Sequence, residues 1–301
     1  MADVTKKLRL GVIGMSDGNG HPYSWSAIFN GYNLQSMKDC GFPVIPEYLN
    51  QQIYPNDFLC ELGTVTHVWT QDIDTSRHIA LTTHIPNVCE AIEDMIGKVD
   101  AVLLARDDAQ NHVSMAMPFI MAGLPIFIDK PLALNRDDAK KMFSMQKFES
   151  QIFTCSSLRF AQELMLSKEE KMFLGKIKLV EGSVMKYWDT YAIHLLEPLI
   201  VNIPNRGKLQ HIRSIRHDGI HLALIEWKNL VCNLKVTGGL QVPLQLCFFG
   251  ENGQITKKFE DSFSCFRSSL KAFIEQIESN KLSIQRDETL ELMEILEKGK
   301  G

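Results

Sequence analysis

The sequence is short of most features that would assign a class at a glance. Its seven cysteines (Cys40, Cys60, Cys89, Cys155, Cys232, Cys247, Cys265) are scattered and never spaced Cys-x-x-Cys. Neither a disulfide framework nor a zinc site is therefore expected, no metal is called for, and the thiols read as reduced, mostly buried small residues. No lysine or arginine run exceeds two residues, and 32 basic against 36 acidic side chains leave a formal charge of −4. That balance lacks the broad positive footprint on which nucleic-acid binding depends, so no nucleic-acid partner is expected. The longest apolar stretch, Met115 to Ile128, is 14 residues long and contains Pro118, Gly123 and Pro125. It is too short and too interrupted to span a bilayer, which excludes a membrane protein built on apolar helices. The opening MADVTKKLRLGVIGMSDGNG turns polar after an apolar run of about six residues, which does not make a signal peptide. A cytoplasmic location is the expectation. Internal repeats and low-complexity tracts are also absent.

What remains is an ordinary globular composition, 45% hydrophobic and 23% charged over 301 residues, long enough for two domains with real cores. In the first half, short apolar runs alternate with helical spacing. Strands are expected at Leu8 to Ile13, Val65 to Thr70, Ala101 to Ala105 and Ile126 to Ile128. Between them, helices are expected at Ser24 to Tyr32, from Thr75 onward with Asp74 as its cap, briefly at Glu90 to Ile96, and at Asn111 to Ala122, where Gly123 stops the turn. Alternation of this kind implies parallel pairing in a doubly wound α/β sheet. The segment Asn33 to Gly63, with Pro43, Pro46 and Pro55, reads as an insertion with one short helix, either covering a site or merely elaborating a connection.

The second half has a different rhythm. His211 to His217, Ile220 to Trp227 and Leu230 to Val236 are separated by the pairs Asp218-Gly219 and Lys228-Asn229. Asp-Gly between β-rich runs is a hairpin signal, because both turn positions need positive φ. An antiparallel meander follows, with further strands at Ile177 to Met185 and Leu244 to Phe249 and a return to helical spacing from Phe263. The expected organisation is an N-terminal doubly wound domain over residues 1–155 and an α+β domain with a mostly antiparallel open sheet over residues 156–301. A parallel half followed by an antiparallel half is a two-domain enzyme layout.

Chemistry is expected first where the leading strand ends. Gly11-Val12-Ile13-Gly14 stands where a dinucleotide-binding fold places its phosphate turn, but Gly-x-Gly-x-x-Gly is missing. Instead Gly14 opens an expanded loop, Met15-Ser16-Asp17-Gly18-Asn19-Gly20-His21-Pro22. Its glycines permit close backbone approach, and the helix after Pro22 offers free N–H groups and a positive dipole end to a pyrophosphate. The competing reading is a Gly/Asn-rich turn that binds nothing. Asp72, 58 residues past Gly14, is either a ribose ligand or, with Asp74, a helix cap. No arginine sits directly at that strand end to meet a 2′-phosphate, which leans the cofactor toward NAD over NADP.

The sharpest local signal is Ile126-Phe127-Ile128-Asp129-Lys130-Pro131-Leu132-Ala133. A strand running into acid-Lys-Pro sets a lysine at the carboxyl edge of a parallel sheet, where ligands bind, and the proline restricts the backbone of Lys130. Here the chain resembles the glucose–fructose oxidoreductase, inositol dehydrogenase and rhizopine-catabolism (Gfo/Idh/MocA) family of NAD(P)-dependent oxidoreductases, which carries Glu-Lys-Pro at this position. Leu103-Leu104-Ala105-Arg106-Asp107-Asp108 followed by Asn111-His112 is similar to the family's strand, turn and helix-opening histidine, although its Thr-Pro is replaced. Ser157-Leu158-Arg159-Phe160 and Leu174-Gly175-Lys176-Ile177 resemble later family segments. The family's Asp-x-x-x-His reads here Asp189 to His194, with Asp189 five residues ahead rather than four and with Glu197 beyond.

The resemblance implies a Rossmann fold that binds NAD or NADP through Gly14, Met15, Ser16, Gly18, Asn19, Gly20, Asp72, Ala105, Arg106, His112, Lys130 and Pro131. It implies catalysis by Lys130, His194 and Asp189, and substrate contacts from Lys130, Arg159, Trp188, Tyr191, His194 and Glu197. It also implies a carbohydrate-like substrate, that is a sugar, cyclitol or nucleotide sugar, and a homo-oligomer, dimer or tetramer, packed through the outer face of the second sheet. The chemistry of the residue types agrees. Oxidising a carbinol removes a hydroxyl proton as hydride departs, and histidine suits a base at neutral pH. A lysine ammonium beside the same oxygen stabilises the developing alkoxide. Asp189 or Glu197 is expected to orient His194, and Tyr187, Trp188 and Tyr191 either stack on a sugar ring or pack. Arg213, Arg216, His217 and His221 form a basic cluster that either holds a phosphate or is a solvated strand face. A noncatalytic ligand sensor or complex subunit on the same fold is the competing function, and the altered phosphate loop favours it.

Overall fold

The first strand carries the logic of the N-terminal half: Leu8–Ile13 (β1) becomes fully buried by its end, so a partner is required on each side. It pairs in parallel with Gly63–Trp69 (β2) and Ala101–Leu104 (β4), and Asn87–Val88 (β3), Ile126–Ile128 (β5) and Ile152–Thr154 (β6) complete the sheet. The order β3-β2-β1-β4-β5-β6, all parallel, is the doubly wound order of dinucleotide-binding folds. The computed structural model describes residues 7–300; residues 1–6, part of the segment read above as carrying no leader, lie outside it.

The helices of this half follow the sequence, with informative departures. The helix expected from Ser24 begins earlier, at His21–Asn30 (α1), because Pro22 fits the first turn, and Gly31 at φ +72° ends it. The insertion holds two short helices rather than one, Leu34–Lys38 (α2) and Val44–Leu49 (α3). Ile73–Thr82 (α4) is capped by Asp72 and not by Asp74: the Asp72 carboxylate accepts from the amides of Asp74 (3.3 Å) and Thr75 (3.2 Å). The short helix expected at Glu90 to Ile96 is a single 3-10 turn, Ile92–Met95. His112–Ala122 (α5) ends on Gly123 in the left-handed region, as its glycine predicts.

After Arg136–Ser144 (α6), the second half builds on Ile177–Val184 (β7), with Lys168–Leu174 (α7), Trp188–Tyr191 (α8) and Ile193–Asn202 (α9) around it. The meander is Leu209–His217 (β8), Ile220–Trp227 (β9) and Leu230–Val236 (β10), and Gln245–Gly250 (β11) and Gly253–Lys258 (β12) close the sheet. Its order is β12-β11-β7-β10-β9-β8, antiparallel except where β7 meets β10. Asp218 (φ +47°) and Gly219 (φ +76°) make the β8–β9 turn with the two positive φ values expected.

Ser262–Ser279 (α10) and Arg286–Lys298 (α11) end the chain. Two compact units result. Among the described residues, one comprises 7–133, 141–154 and 266–284, the other 134–140, 155–265 and 285–300. The break between the units falls between 154 and 155, one residue before the 155/156 boundary expected from the sequence, and most of α10 belongs to the first unit. The reason is aromatic: Phe273 lies 5.7 Å from Phe127 and 5.8 Å from Phe153, all three buried, while Phe127 also stacks on Trp25 at 4.7 Å. A helical residue well past the sheet thus completes the core beneath β5 and β6.

Candidate active site at the carboxyl edge of the parallel sheet

The carboxyl ends of β1, β2, β4 and β5 converge in the first unit, and side chains from the loops that follow tie them together. Gln71, just past β2, accepts from the amide of Met15 (3.1 Å) and donates to its carbonyl (2.7 Å), and the same Gln71 Oε1 accepts from Arg106 (2.9 Å). Arg106 is buried and its guanidinium grips Asp108 with two hydrogen bonds, at 2.8 and 2.5 Å. Ser16 donates to Asp107 at 2.5 Å and accepts from its amide. Lys130, only 4% exposed, donates to Asp107 at 3.2 Å. The sequence-predicted Met15, Ser16, Ala105, Arg106 and Lys130 are therefore brought together. Gln71, Asp107 and Asp108, which join them, were not singled out.

A second knot stands beside the first. Asp129 is 1% exposed; its Oδ2 accepts from Asn19 Nδ2 (3.0 Å) and from His21 Nδ1 (2.6 Å), and its Oδ1 accepts from the amide of Lys130 (2.8 Å). Burial alone would raise this carboxyl, but the charges of His21 and Lys130 and the hydrogen bonds outweigh it and hold Asp129 down to about 2. The His21 ring stacks on Trp25 (5.0 Å) and meets Phe266 edge-on (5.0 Å).

The phosphate loop differs from the expectation in one respect. The N-terminus of α1 is not free: the His21 amide donates to Asn19 Oδ1 (2.8 Å), Pro22 has no N–H, and the Tyr23 and Ser24 amides return to the Gly20 carbonyl. Open donors lie further out, because the amides of Ser16, Asp17 and Gly18 meet no acceptor among the described residues. Successive free amides at a turn with Gly18 at φ +72° suit an anion, so the residues present fit a dinucleotide pyrophosphate at the loop tip rather than at the helix end. Gly14 and Gly20 serve packing. A Cβ on Gly14 would fall 2.2 Å from Pro22 Cγ, and one on Gly20 would fall 2.6 Å from Ile45 Cδ1 and 2.8 Å from Phe42, so the insertion lies against this loop.

Two residues expected to meet the cofactor are engaged elsewhere. The His112 ring is fully buried, its two nitrogens facing the carbonyls of Leu132 (3.1 Å) and Arg106 (2.9 Å), which makes it a brace for the loops after β4 and β5. Burial pushes its imidazole below the usual range, against the pull of those carbonyls. Asp72 is the α4 cap. Pro131, joined to Lys130 by a cis bond, leads into the Leu132 carbonyl that His112 meets.

In the second unit, His194 Nδ1 meets Ser156 Oγ at 2.7 Å, and Ser156 Oγ accepts from the Leu158 amide. The partner expected for this ring was Asp189 or Glu197. Asp189, on the separate short helix α8, is exposed and lies 3.5 Å from Lys300 Nζ. Glu197 is buried and paired with Arg159 at 2.8 Å, while Arg159 also grips Glu288. Burial opposes the Arg159 charge, yet the two carboxylates overcome it and hold the guanidinium above its usual range. Arg159 and Glu197 thus form an ion pair inside the second unit. Trp188 is likewise internal, donating to the Leu296 carbonyl (2.9 Å) and stacking on His221 at 4.5 Å. Tyr191 lies edge-on to His194 at 5.0 Å and accepts from Lys186. Arg216 donates to His221 Nδ1 at 3.1 Å, so part of the basic cluster is spent internally.

Residues 40–156 match the sequence model of an oxidoreductase family with an NAD-binding Rossmann fold. No curated protein matches. Solved structures do. GenD2 from gentamicin A biosynthesis, in complex with NAD, superposes with a TM-score of 0.74 at 12% identity over 98% of this chain and 93% of that one. Apo scyllo-inositol dehydrogenase from Lactobacillus casei gives 0.71 at 11% identity over 98% and 96%. UDP-N-acetylglucosamine 3-dehydrogenase GnnA from Acidithiobacillus ferrooxidans gives 0.69 at 11% identity over 96% and 95%. At these identities the likeness is one of fold. The matched segment contains the Asp129-Lys130-Pro131 turn, and over those residues the chain is similar to the NAD-binding Rossmann domain of the Gfo/Idh/MocA oxidoreductases.

Proposed function

We propose that the chain oxidises a secondary hydroxyl of a sugar, cyclitol or nucleotide sugar, or reduces the corresponding ketone, with NAD in preference to NADP. The observation that carries this reading is Lys130: a buried ammonium at the carboxyl edge of the parallel sheet, held by Asp107, in the unit that contains the matched NAD-binding segment. An ammonium there lends positive charge to an oxygen as its proton leaves, the electrostatic part of carbinol oxidation. The nicotinamide, when bound, accepts or returns the hydride. Ser16, Asp17 and Gly18 would hold the pyrophosphate through their backbone, with Gln71 and Arg106 fixing the loop that presents it.

The substrate class rests on the named activities of proteins with this fold, an inositol dehydrogenase and a nucleotide-sugar dehydrogenase. The lean to NAD rests on the β2 end, where none of Trp69, Thr70, Gln71 and Asp72 is a cation and the Arg106 guanidinium that reaches Gln71 is already paired with Asp108. A homo-oligomer through the second sheet is supported by Ile215, Leu222 and Val231, exposed and apolar on one face of β8, β9 and β10. A cytoplasmic setting is supported by seven free cysteines, six of them buried. Among the described residues no helix is long and apolar enough to cross a membrane. The sensor reading keeps one specific support, the self-occupied N-terminus of α1.

The test is titration of purified protein with NADH and NADPH, followed by turnover on a panel of cyclitols, sugars and nucleotide sugars. Binding of NADH with turnover lost in Lys130→Ala is the expected result; the family pattern assigns the base to His194, and His194→Ala reads that assignment. No binding of either nucleotide ends the oxidoreductase reading, and binding without turnover favours the sensor.

A further inference from the structure

His21 meets a carboxylate that is buried, ionised and able only to accept, because Asp129 Oδ2 also receives Asn19 Nδ2 and its Oδ1 receives the Lys130 amide. An acceptor-only partner fixes the tautomer: Nδ1 must carry the hydrogen, and Nε2 is left with its lone pair in the neutral ring. Nε2 has no hydrogen-bond partner among the described residues, and the side chain is 18% exposed, so this nitrogen is within reach of a ligand. The ring cannot swing freely, being stacked on Trp25 and edge-on to Phe266. An oriented imidazole with a carboxylate behind it is the arrangement that makes histidine a base, because the carboxylate stabilises the imidazolium that forms. His194 has at its Nδ1 the hydroxyl of Ser156, a group that can donate or accept and carries no charge.

We propose that the Asp129–His21 pair, rather than His194, is the proton acceptor of the oxidation. The inference rests on the oxidoreductase reading and deepens it. As the carbinol C–H bond breaks, the hydride passes to the oxidised nicotinamide dinucleotide; the O–H bond breaks, its proton goes to His21 Nε2, and its electron pair forms the carbonyl. His21 ends as an imidazolium against the Asp129 carboxylate, and in the reductive direction it returns the proton. The charged groups facing the ring are Asp129 and, through Asp129, Lys130; Trp25 and Phe266, packed on it from α1 and α10, carry no charge. Lys130 and His21 thus hang from consecutive positions of the turn after β5, one by its own side chain and one through its neighbour's carboxylate.

Two measurements test this on the full-length protein. In the 15N-histidine NMR spectrum of the ligand-free protein, the resonances lost in His21→Gln should report Nδ1–H with unprotonated Nε2, and Asp129→Asn should turn them into a tautomer mixture. An Nε2–H tautomer in the wild type overturns the proposal without any activity measurement. With NAD and the substrate found on the panel, His21→Gln should lower kcat by about 10²–10⁴-fold and abolish the acid limb of the kcat/KM profile, while His194→Gln keeps that limb. NADH affinity should stay within about threefold of wild type in His21→Gln, separating proton transfer from cofactor binding. Persistence of the acid limb in His21→Gln, or its loss in His194→Gln alone, overturns the dyad and leaves the oxidoreductase reading standing. A wild type that binds neither nucleotide, or binds one and turns over nothing, overturns that reading and the dyad with it.

Discussion

Each unit offers one histidine to proton chemistry, and the two stand on different supports. In the first unit His21 leans on Asp129, a carboxylate buried at the end of β5 and held ionised by its surroundings. In the second, His194 leans on Ser156, a neutral hydroxyl, while the nearby carboxylate Glu197 is spent on Arg159. The acid that would orient His194 is thus spent inside the fold, and an acid that orients a histidine is found in the other unit. The two rings share a residue type and differ in what stands at Nδ1, a carboxylate for one and a hydroxyl for the other. Asp189, the other acid expected to orient His194, is exposed and 3.5 Å from Lys300.

The largest effect that could break this contrast comes from removing each support in turn. Asp129→Asn is expected to cost about 10²–10⁴-fold in kcat, because the amide can hold His21 in either tautomer. Ser156→Ala should cost less than about tenfold, since a hydroxyl sets no charge on the imidazolium. Steady-state kinetics with unchanged NADH affinity checks both, and equal losses in the two variants would erase the distinction between the histidines.

The next effect concerns stability and sharpens the assignment of Arg159 and Glu197 as an internal pair. Arg159→Met strands a buried carboxylate and should cost about 3–5 kcal/mol, read as a lower denaturation midpoint. Replacing both, Arg159→Met with Glu197→Leu, should restore most of that loss, since the charge then left without its partner, Glu288, is part-exposed to water. A double variant as unstable as the single one would mean that the pair does more than satisfy itself.

Much of the fold was legible because its signals are local. The strand ends at β1, β4 and β5, the Gly123 stop and the Asp218-Gly219 turn are read from a few adjacent residues, and acid-Lys-Pro marked Lys130 in the same way. The site was legible only in part, because its connections are long-range in sequence. Ser16 and Asp107 are 91 residues apart, His21 and Asp129 are 108 apart, and no periodicity links them. Arg106 and Lys130 were found; Gln71, Asp107 and His21 were not, because glutamine, aspartate and histidine in loops are ordinary until their partners are known. His112, Trp188, Arg159 and Glu197 were read for their functional chemistry, and each has an internal partner that the sequence does not reveal.

A smaller effect comes from acid. The folded value of Asp129, about 2, lies below the roughly 3.9 of an unfolded aspartate, so its contribution is fully present above about pH 4 and is lost as the pH falls toward 2. The contribution is on the order of 2 kcal/mol, and denaturant midpoints measured from pH 6 to pH 2 should show wild type losing its advantage over Asp129→Asn across that window. Ser156→Ala removes a neutral hydroxyl from His194 and no charge, so it should track wild type throughout. A stability gap between wild type and Asp129→Asn that stays constant down to pH 2 would mean that the Asp129 charge is not what holds the loop.

The smallest effect separates capping from cofactor binding at Asp72. The carboxylate accepts from the Asp74 and Thr75 amides and from the Thr75 hydroxyl (2.6 Å), which accounts for both of its oxygens at the start of α4. Asparagine caps about as well as aspartate, so Asp72→Asn should leave stability within a few tenths of a kcal/mol, whereas Asp72→Ala should cost about 1 kcal/mol. If capping is its whole role, NADH affinity follows neither substitution beyond about twofold. A tenfold loss of affinity in Asp72→Asn at unchanged stability would instead show the carboxylate leaving the helix to hold the ribose, and would return to the β2 end the acidic ligand that the spacing from Gly14 denies it.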